Sequence, residues 1–199
     1  MTGHGAPAGP GEPAAGGPGQ AGRPEVRVRA ARAEDVPEIA RIQVDTWRTA
    51  YARLLPPSVL AAATPQRAGA EWTAAVLHPP SRRHRVLVAN EQRWMVGFVA
   101  FGPSEQDDDP PGTGMLHALL VEPRWGRRGH GSRLLAAAVD QLRADGMTRA
   151  VVWLADGDTA SRRFFESAGW EPDGTVRTLV DGGQTVREAR LHVSLEGEA

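Results

Sequence analysis

Cysteine and lysine are both absent from this chain of 199 residues, whose 23 basic residues are all arginine. The first absence excludes a thiol nucleophile, a disulfide framework, iron–sulfur ligation and any cysteine zinc site. The second excludes Schiff-base catalysis and a phosphate loop ending in Gly-Lys-Ser/Thr. Tyrosine occurs once, so a phenol acting as acid or donor can only be Tyr51. Net charge is nearly absent too: 23 arginines against 24 acidic residues leave a formal −1, and no nucleic-acid partner is expected. No apolar run approaches the roughly 20 residues that span a bilayer, so no membrane partner is expected either. The first residues lack the charged and apolar segments of a secretory signal, and a cytoplasmic location is the expectation. No histidine spacing suggests a metal site, and no Gly-x-Ser-x-Gly elbow suggests a serine hydrolase.

What is present is unevenly distributed. Residues 1–22 hold 8 of the 23 glycines and 4 of the 16 prolines, with Met1 the only sizeable apolar side chain. Such a segment cannot offset its ordering entropy, so residues 1–24 are expected to be a disordered tail and 25–199 a single domain. Within that domain, apolar alternation predicts strands at 25–30, 85–89, 94–101, 115–121, 175–180 and 187–193, with a continuous apolar strand at 148–154. Helices are predicted from Asp35 along the stripe Val36, Ala40, Val44, Trp47 and Tyr51, at 65–77, from Gly129 to before Gly146, and from an Asp158 cap to Ala168. The first of these is expected to end at Pro56-Pro57, and the polar turn Asn90-Glu91-Gln92 to join two strands as a hairpin. The fold class is α/β, with one mixed, mostly antiparallel sheet of six to seven strands and about four helices.

One segment carries the chemistry: Leu119-Leu120-Val121-Glu122-Pro123-Arg124-Trp125-Gly126-Arg127-Arg128-Gly129-His130-Gly131-Ser132-Arg133. A strand ends at a proline, an arginine-bearing loop follows, and two glycines open a helix. Glycines allow close backbone approach, helix-start amides point outward, and the helix dipole favours an anion. A dinucleotide fingerprint needs a third glycine where Leu134 stands, so that alternative fails. A plain strand-to-helix turn remains the bland alternative.

This segment resembles the acyl-CoA-binding loop of the GNAT acetyltransferase superfamily, Gln/Arg-x-x-Gly-x-Gly/Ala. Asp158-Thr159-Ala160-Ser161-Arg162-Arg163-Phe164-Phe165-Glu166-Ser167-Ala168-Gly169-Trp170 resembles the family's Asn-x-x-Ala-x-x-Phe-Tyr-Glu-x-x-Gly-Phe helix. The order of elements over residues 25–194 is similar as well. The resemblance implies a parallel pair of strands, the fourth and fifth, splayed to admit acetyl-CoA. Leu119, Leu120 and Val121 would pair with its pantetheine arm, and Arg127, Arg128, Gly129, His130, Gly131, Ser132 and Arg133 would hold its pyrophosphate. Asp158 would contact the cofactor in place of Asn, and Phe165 stands where the family keeps a Tyr credited with protonating the leaving thiolate. Gly126 replaces the first Gln/Arg of the loop motif.

The base positions of histone-type and ribosomal-protein-type members fall on Met115 and Trp153, which cannot act. Met115-Leu116-His117-Ala118-Leu119 resembles the His-Leu-His-Ala-Leu segment of arylalkylamine acetyltransferases, which implies His117 as base or water-orienting residue. Its bland alternative is a strand histidine filling space. Trp47-Arg48-Thr49-Ala50-Tyr51 with Leu54-Leu55-Pro56 resembles a Trp-x-x-x-Tyr-x-x-Leu-Leu-Pro segment that lies near the acceptor pocket, against the alternative that the two aromatics are core. The Asp107–Asp109 run could attract a cationic amine or simply be solvated. The expected activity is acetyl transfer from acetyl-CoA to a primary amine by direct attack, with no metal. The alternative is a catalytically weak acyl-CoA-binding domain. Many family members pair as homodimers, and the sequence leaves that assembly open.

Overall fold

The computed structural model describes residues 26–181 and 183–197; the expected tail at 1–24 lies outside them. The predicted alternations become seven strands: β1 (Val26–Ala30), β2 (Arg85–Glu91), β3 (Trp94–Pro103), β4 (Thr113–Val121), β5 (Arg149–Ala155), β6 (Glu171–Asp181) and β7 (Gln184–Ser194). They form one mixed sheet in the order β1-β2-β3-β4-β5-β7-β6. Only β4 and β5 run parallel, joined by the helix α4 (His130–Ala144). The other helices are α1 (Val36–Thr49), α2 (Pro57–Ala62), α3 (Pro65–Leu77) and α5 (Thr159–Ser167).

Five α-helices lie among the described residues, where about four were expected. The double proline does not simply end a helix: Pro57 opens α2, because a proline at a first helical position gives up only an N–H that has no partner there. Asp35 precedes α1 but does not cap it with its side chain. Its carboxylate instead accepts from the Arg29 guanidinium at 2.6 and 2.8 Å and from the Arg32 amide at 2.8 Å, tying β1 to the helix start. The hairpin turn also differs. Asn90 and Glu91 continue β2, so the reversal falls on Gln92 and Arg93.

Each face of the sheet carries its own core. Leu134, Ala138 and Leu142 of α4 pack on Val99, Phe101, Leu116 and Val152. Ile39 and Ile42 of α1 and Trp72 of α3 pack on Val88, Phe98 and Leu120. Trp72 meets Phe98 edge to face at 4.9 Å. Each of these fully buried side chains contributes roughly 1.5–3 kcal/mol, so the half of β4 shared by both cores is rigidly held.

The acidic run is corrected in part. The Asp109 carboxylate accepts from Arg190 at 2.5 Å and from the Ser104 hydroxyl, and its side chain is buried. Arg190 and Arg149 both donate to Asp173 at 2.7 Å. Asp109 therefore fastens the β3–β4 loop to the β5–β7–β6 end of the sheet and has no charge to offer a ligand.

Candidate active site

The parallel pairing of β4 with β5 runs from Thr113–Arg149 to Leu116–Val152 and stops there. Beyond it, Leu119 and Val121 stay paired to Val99 and Gly97 of β3. Their other edge faces the gap left by β5. A register shift falls between Ala100, which pairs with Ala118, and Phe101, which pairs with Leu116, so His117 is an extra, bulged residue at the apex of the split.

A cavity of about 470 Å³ occupies the split. Leu119, Leu120 and Val121 form one wall, the Pro123–Ser132 loop and helix start close one end, and Asp158, Ser161, Phe164 and Phe165 from α5 form the opposite wall. Tyr51 and Leu54, from the chain after α1, roof it. Two chemical features follow. The β4 edge offers unmatched peptide groups to an extended ligand. The first turn of α4 has no side-chain cap, so its amides and the positive end of a 15-residue helix are available to an anion. Gly129 makes that entry possible with φ +81°, a left-handed conformation that a bulkier residue resists. Arg127 adopts φ 62° despite carrying a side chain, and it lines the cavity mouth.

Of the residues singled out by sequence, Leu119, Leu120, Val121, Arg127, Gly129, His130, Gly131, Ser132, Asp158, Phe165 and Tyr51 come together here. Four others are placed elsewhere. Arg128 stacks over the Trp125 ring at 5.0 Å and lies 3.4 Å from Glu91. Arg133 donates to the Arg128 carbonyl at 3.2 Å. Trp47 lines a separate cavity of about 200 Å³ with Val59 and Arg67, among α1, α2 and α3. His117 stands at the apex but outside the cavity lining. The loop is less cationic than its sequence suggests, since Arg124 also pairs with Glu122 at 2.9 Å. Glu122 is buried and meets Arg41 at 3.2 Å, tying the end of β4 to α1.

The Tyr51 hydroxyl lies 3.3 Å from the Ser161 hydroxyl at the start of α5. Burial pushes this phenol up to about 12, and nearby Asp158 adds to the effect, so it stays protonated and can donate. Asp158 itself accepts from the Ser161 amide at 3.0 Å, the predicted cap. Phe165 is buried against Trp170, with ring centroids 5.1 Å apart. His117 stacks on His84 at 6.4 Å, and His84 is fixed by Ser81 at 2.9 Å. Although His117 reaches solvent, partial desolvation lowers its pKa below the usual histidine range; His84 adds to that and Glu105 opposes it. Such an imidazole is neutral at neutral pH and can accept a proton. Met115 is buried, and Trp153 lies under the guanidinium of Arg177 at 4.2 Å, so neither position offers a base.

Leu54, part of the segment that resembles an acceptor-pocket motif, does line the cavity. Sequence reasoning missed Thr46 and Ser161. Ser161 was legible as the third residue after the Asp158 cap, where a side chain points along the exposed helix start. Thr46 reaches the cavity only through tertiary packing, which no local pattern announces.

The model of the acetyltransferase (GNAT) family matches residues 38–170. An uncharacterized N-acetyltransferase of Bacillus subtilis (strain 168), YuaI, is 30% identical over 132 residues, which cover 66% of this chain and 72% of the relative. Among solved structures, yncA of Salmonella typhimurium, with its cofactor acetyl-CoA, has a TM-score of 0.65 at 22% identity, covering 87% of this chain and 96% of the other. The paia N-acetyltransferase of Thermoplasma acidophilum, in complex with coenzyme A, has a TM-score of 0.69 at 14% identity, covering 85% and 99%. At these identities the structural likeness establishes the fold.

Proposed function

The chain belongs to the GNAT acetyltransferase family, and from that premise we propose that it moves an acetyl group from acetyl-CoA to a primary amine of a small molecule, peptide or protein, by direct attack in a ternary complex. The observation that carries this is the juxtaposition of an open β4 edge with an uncapped helix start at one end of the same cavity. An extended amide-bearing arm and a pyrophosphate fit those two features in that order.

When bound, acetyl-CoA supplies the thioester carbonyl that an amine attacks and the thiolate that departs. The peptide groups of Leu119–Val121 hold the arm. The amides from Arg127 to Ser132, with the Arg127 guanidinium, hold the pyrophosphate. His117, neutral at the apex, takes the proton of the incoming amine directly or through water. Backbone N–H groups at the bulge serve the developing oxyanion. Tyr51 gives its proton to the departing thiolate, replacing the tyrosine that is Phe165 here. Direct attack is favoured because a chain without cysteine has no thiol to carry the acetyl group.

A second reading, an acyl-CoA-binding domain with little turnover, is favoured by Phe165, Met115 and Trp153 alone. A panel of primary amines assayed for released CoA thiol separates the two. Amine-dependent release supports transfer; acetyl-CoA binding with no release from any amine supports the binding domain.

A further inference from the structure

Glu91 ends β2, beyond a register shift between Ala89 and Asn90 that re-aims the strand end. Its side chain is 8% exposed, an unusual place for a carboxylate, and it lies against residues of the loop that closes the cavity. One oxygen is 2.9 Å from Nε2 of His130, whose side chain is 1% exposed. The other is 3.4 Å from Arg128. Arg128 lies over Trp125, and Trp125 meets His130 edge-on at 6.3 Å. Arg128 and His130 thus meet a single carboxylate supplied from 37 residues before Arg128, and Trp125 packs on both of them. The His130 contact is close but not aligned as a linear hydrogen bond, and burial lowers the His130 pKa so that the ring is neutral; the contact is therefore one of packing between the imidazole and the carboxylate, and Arg128 supplies the charge.

We propose that Glu91 is a positioning residue for the CoA pyrophosphate: through Arg128 and His130 it holds the segment 125–130 so that the amides around Gly129 face the cavity. The role rests on the acetyl-CoA reading above. Glu91 touches no ligand in this scheme, and its sign is wrong for direct help, because a carboxylate near a pyrophosphate repels it. The two possible roles therefore have opposite consequences. If Glu91 is only a buried charge beside the site, neutralising it removes a repulsion and tightens CoA binding or leaves it unchanged. If it holds the loop, the isosteric Glu91→Gln releases Arg128 and His130, and binding weakens.

The test is calorimetric titration of CoA into the full chain and into E91Q, H130F and the double variant, with pantetheine binding followed by ligand-observed NMR. Pantetheine has the thiol arm without the pyrophosphate. Losing one charge-supported contact predicts a roughly tenfold weaker CoA Kd for E91Q. A similar loss is expected for H130F, and no further loss in the double variant because the two act as one unit. Pantetheine binding stays unchanged and the melting temperature of E91Q stays within a few degrees of the parent. Tighter or unchanged CoA binding by E91Q overturns the proposal, as do equal losses for CoA and pantetheine, or additive losses in the double variant. Failure of the unmodified chain to bind CoA instead overturns the acetyl-CoA reading, and Glu91's role with it.

Discussion

In the proposed mechanism Tyr51 and His117 divide the proton traffic, and each role can be tested separately. Tyr51→Phe keeps the ring that roofs the cavity and removes only the donor. Acetyl-CoA affinity should hold while kcat falls by at most about 10²-fold, the low end for general acid catalysis, because a thiolate leaves readily. An unchanged kcat removes Tyr51 from the mechanism. His117→Ala should lower kcat at neutral pH with little change in acetyl-CoA affinity. The sign of its pH dependence follows from its lowered pKa: the neutral, base-competent form persists as pH falls, so the acid limb of kcat lies below the usual histidine value of about 6.5. His84→Ala removes a neighbour that disfavours the charged form and should move that limb upward. A limb above 6.5 in the parent, or one unmoved in H84A, contradicts the assignment. Arg127 sets stability against binding. Its left-handed backbone costs about 1–2 kcal/mol in a residue other than glycine. Arg127→Gly should therefore raise the melting temperature by a few degrees while weakening CoA binding roughly threefold to tenfold. A variant that melts lower, or binds CoA as before, counts against its placement at the cavity mouth.

The element that matters most is the distal half of β4. It is held on one edge by β3 alone, and that pairing depends on Gly97. A Cβ there would stand 2.4 Å from the Leu120 carbonyl oxygen and 3.0 Å from the Val121 Cα, backbone atoms that cannot rotate away. Gly97→Ala should cost about 1–3 kcal/mol, lower the melting temperature by several degrees, and weaken acetyl-CoA binding as the strand is pushed toward the cavity. A loss of stability with unchanged binding shows that the β4 edge is not a ligand wall. At this scale much was legible in the sequence. Alternation marked six strands and a continuous apolar run marked β5, Asp158 marked a true cap, and Gly129 marked the start of α4. What escaped was decided by partners distant in the chain. The turn of the β2–β3 hairpin falls later than expected, with Glu91 paired to Trp94 and its side chain against Arg128 and His130. Asp35 left the helix amides for Arg29, and α2 formed where the double proline read only as a stop. The bulge at His117 arises from a mismatch in register between two strands, which neither strand shows alone.

Across the whole molecule, the near-zero net charge conceals pairings that span the sheet. Asp109, Arg190, Asp173 and Arg149 join the β3–β4 loop to the far strands, while Glu122 and Arg41 join the end of β4 to α1. Of the arginines that looked available for phosphate in the sequence, Arg124 and Arg128 pair with carboxylates and Arg133 donates to a backbone carbonyl. The anion site is thus chiefly backbone and helix dipole, with Arg127 at its edge. The composition legible from the sequence ruled out thiol and lysine chemistry, which is consistent with the proposed direct transfer between two bound substrates. The helix start at Gly129 is where that account is most exposed. Calorimetric titration of acetyl-CoA into the full chain and into Gly129→Asp tests it directly. Saturable binding to one site in the parent, abolished when bulk and negative charge stand at the α4 entry, is the predicted result. No binding by the parent, or equal affinity in G129D, would contradict it.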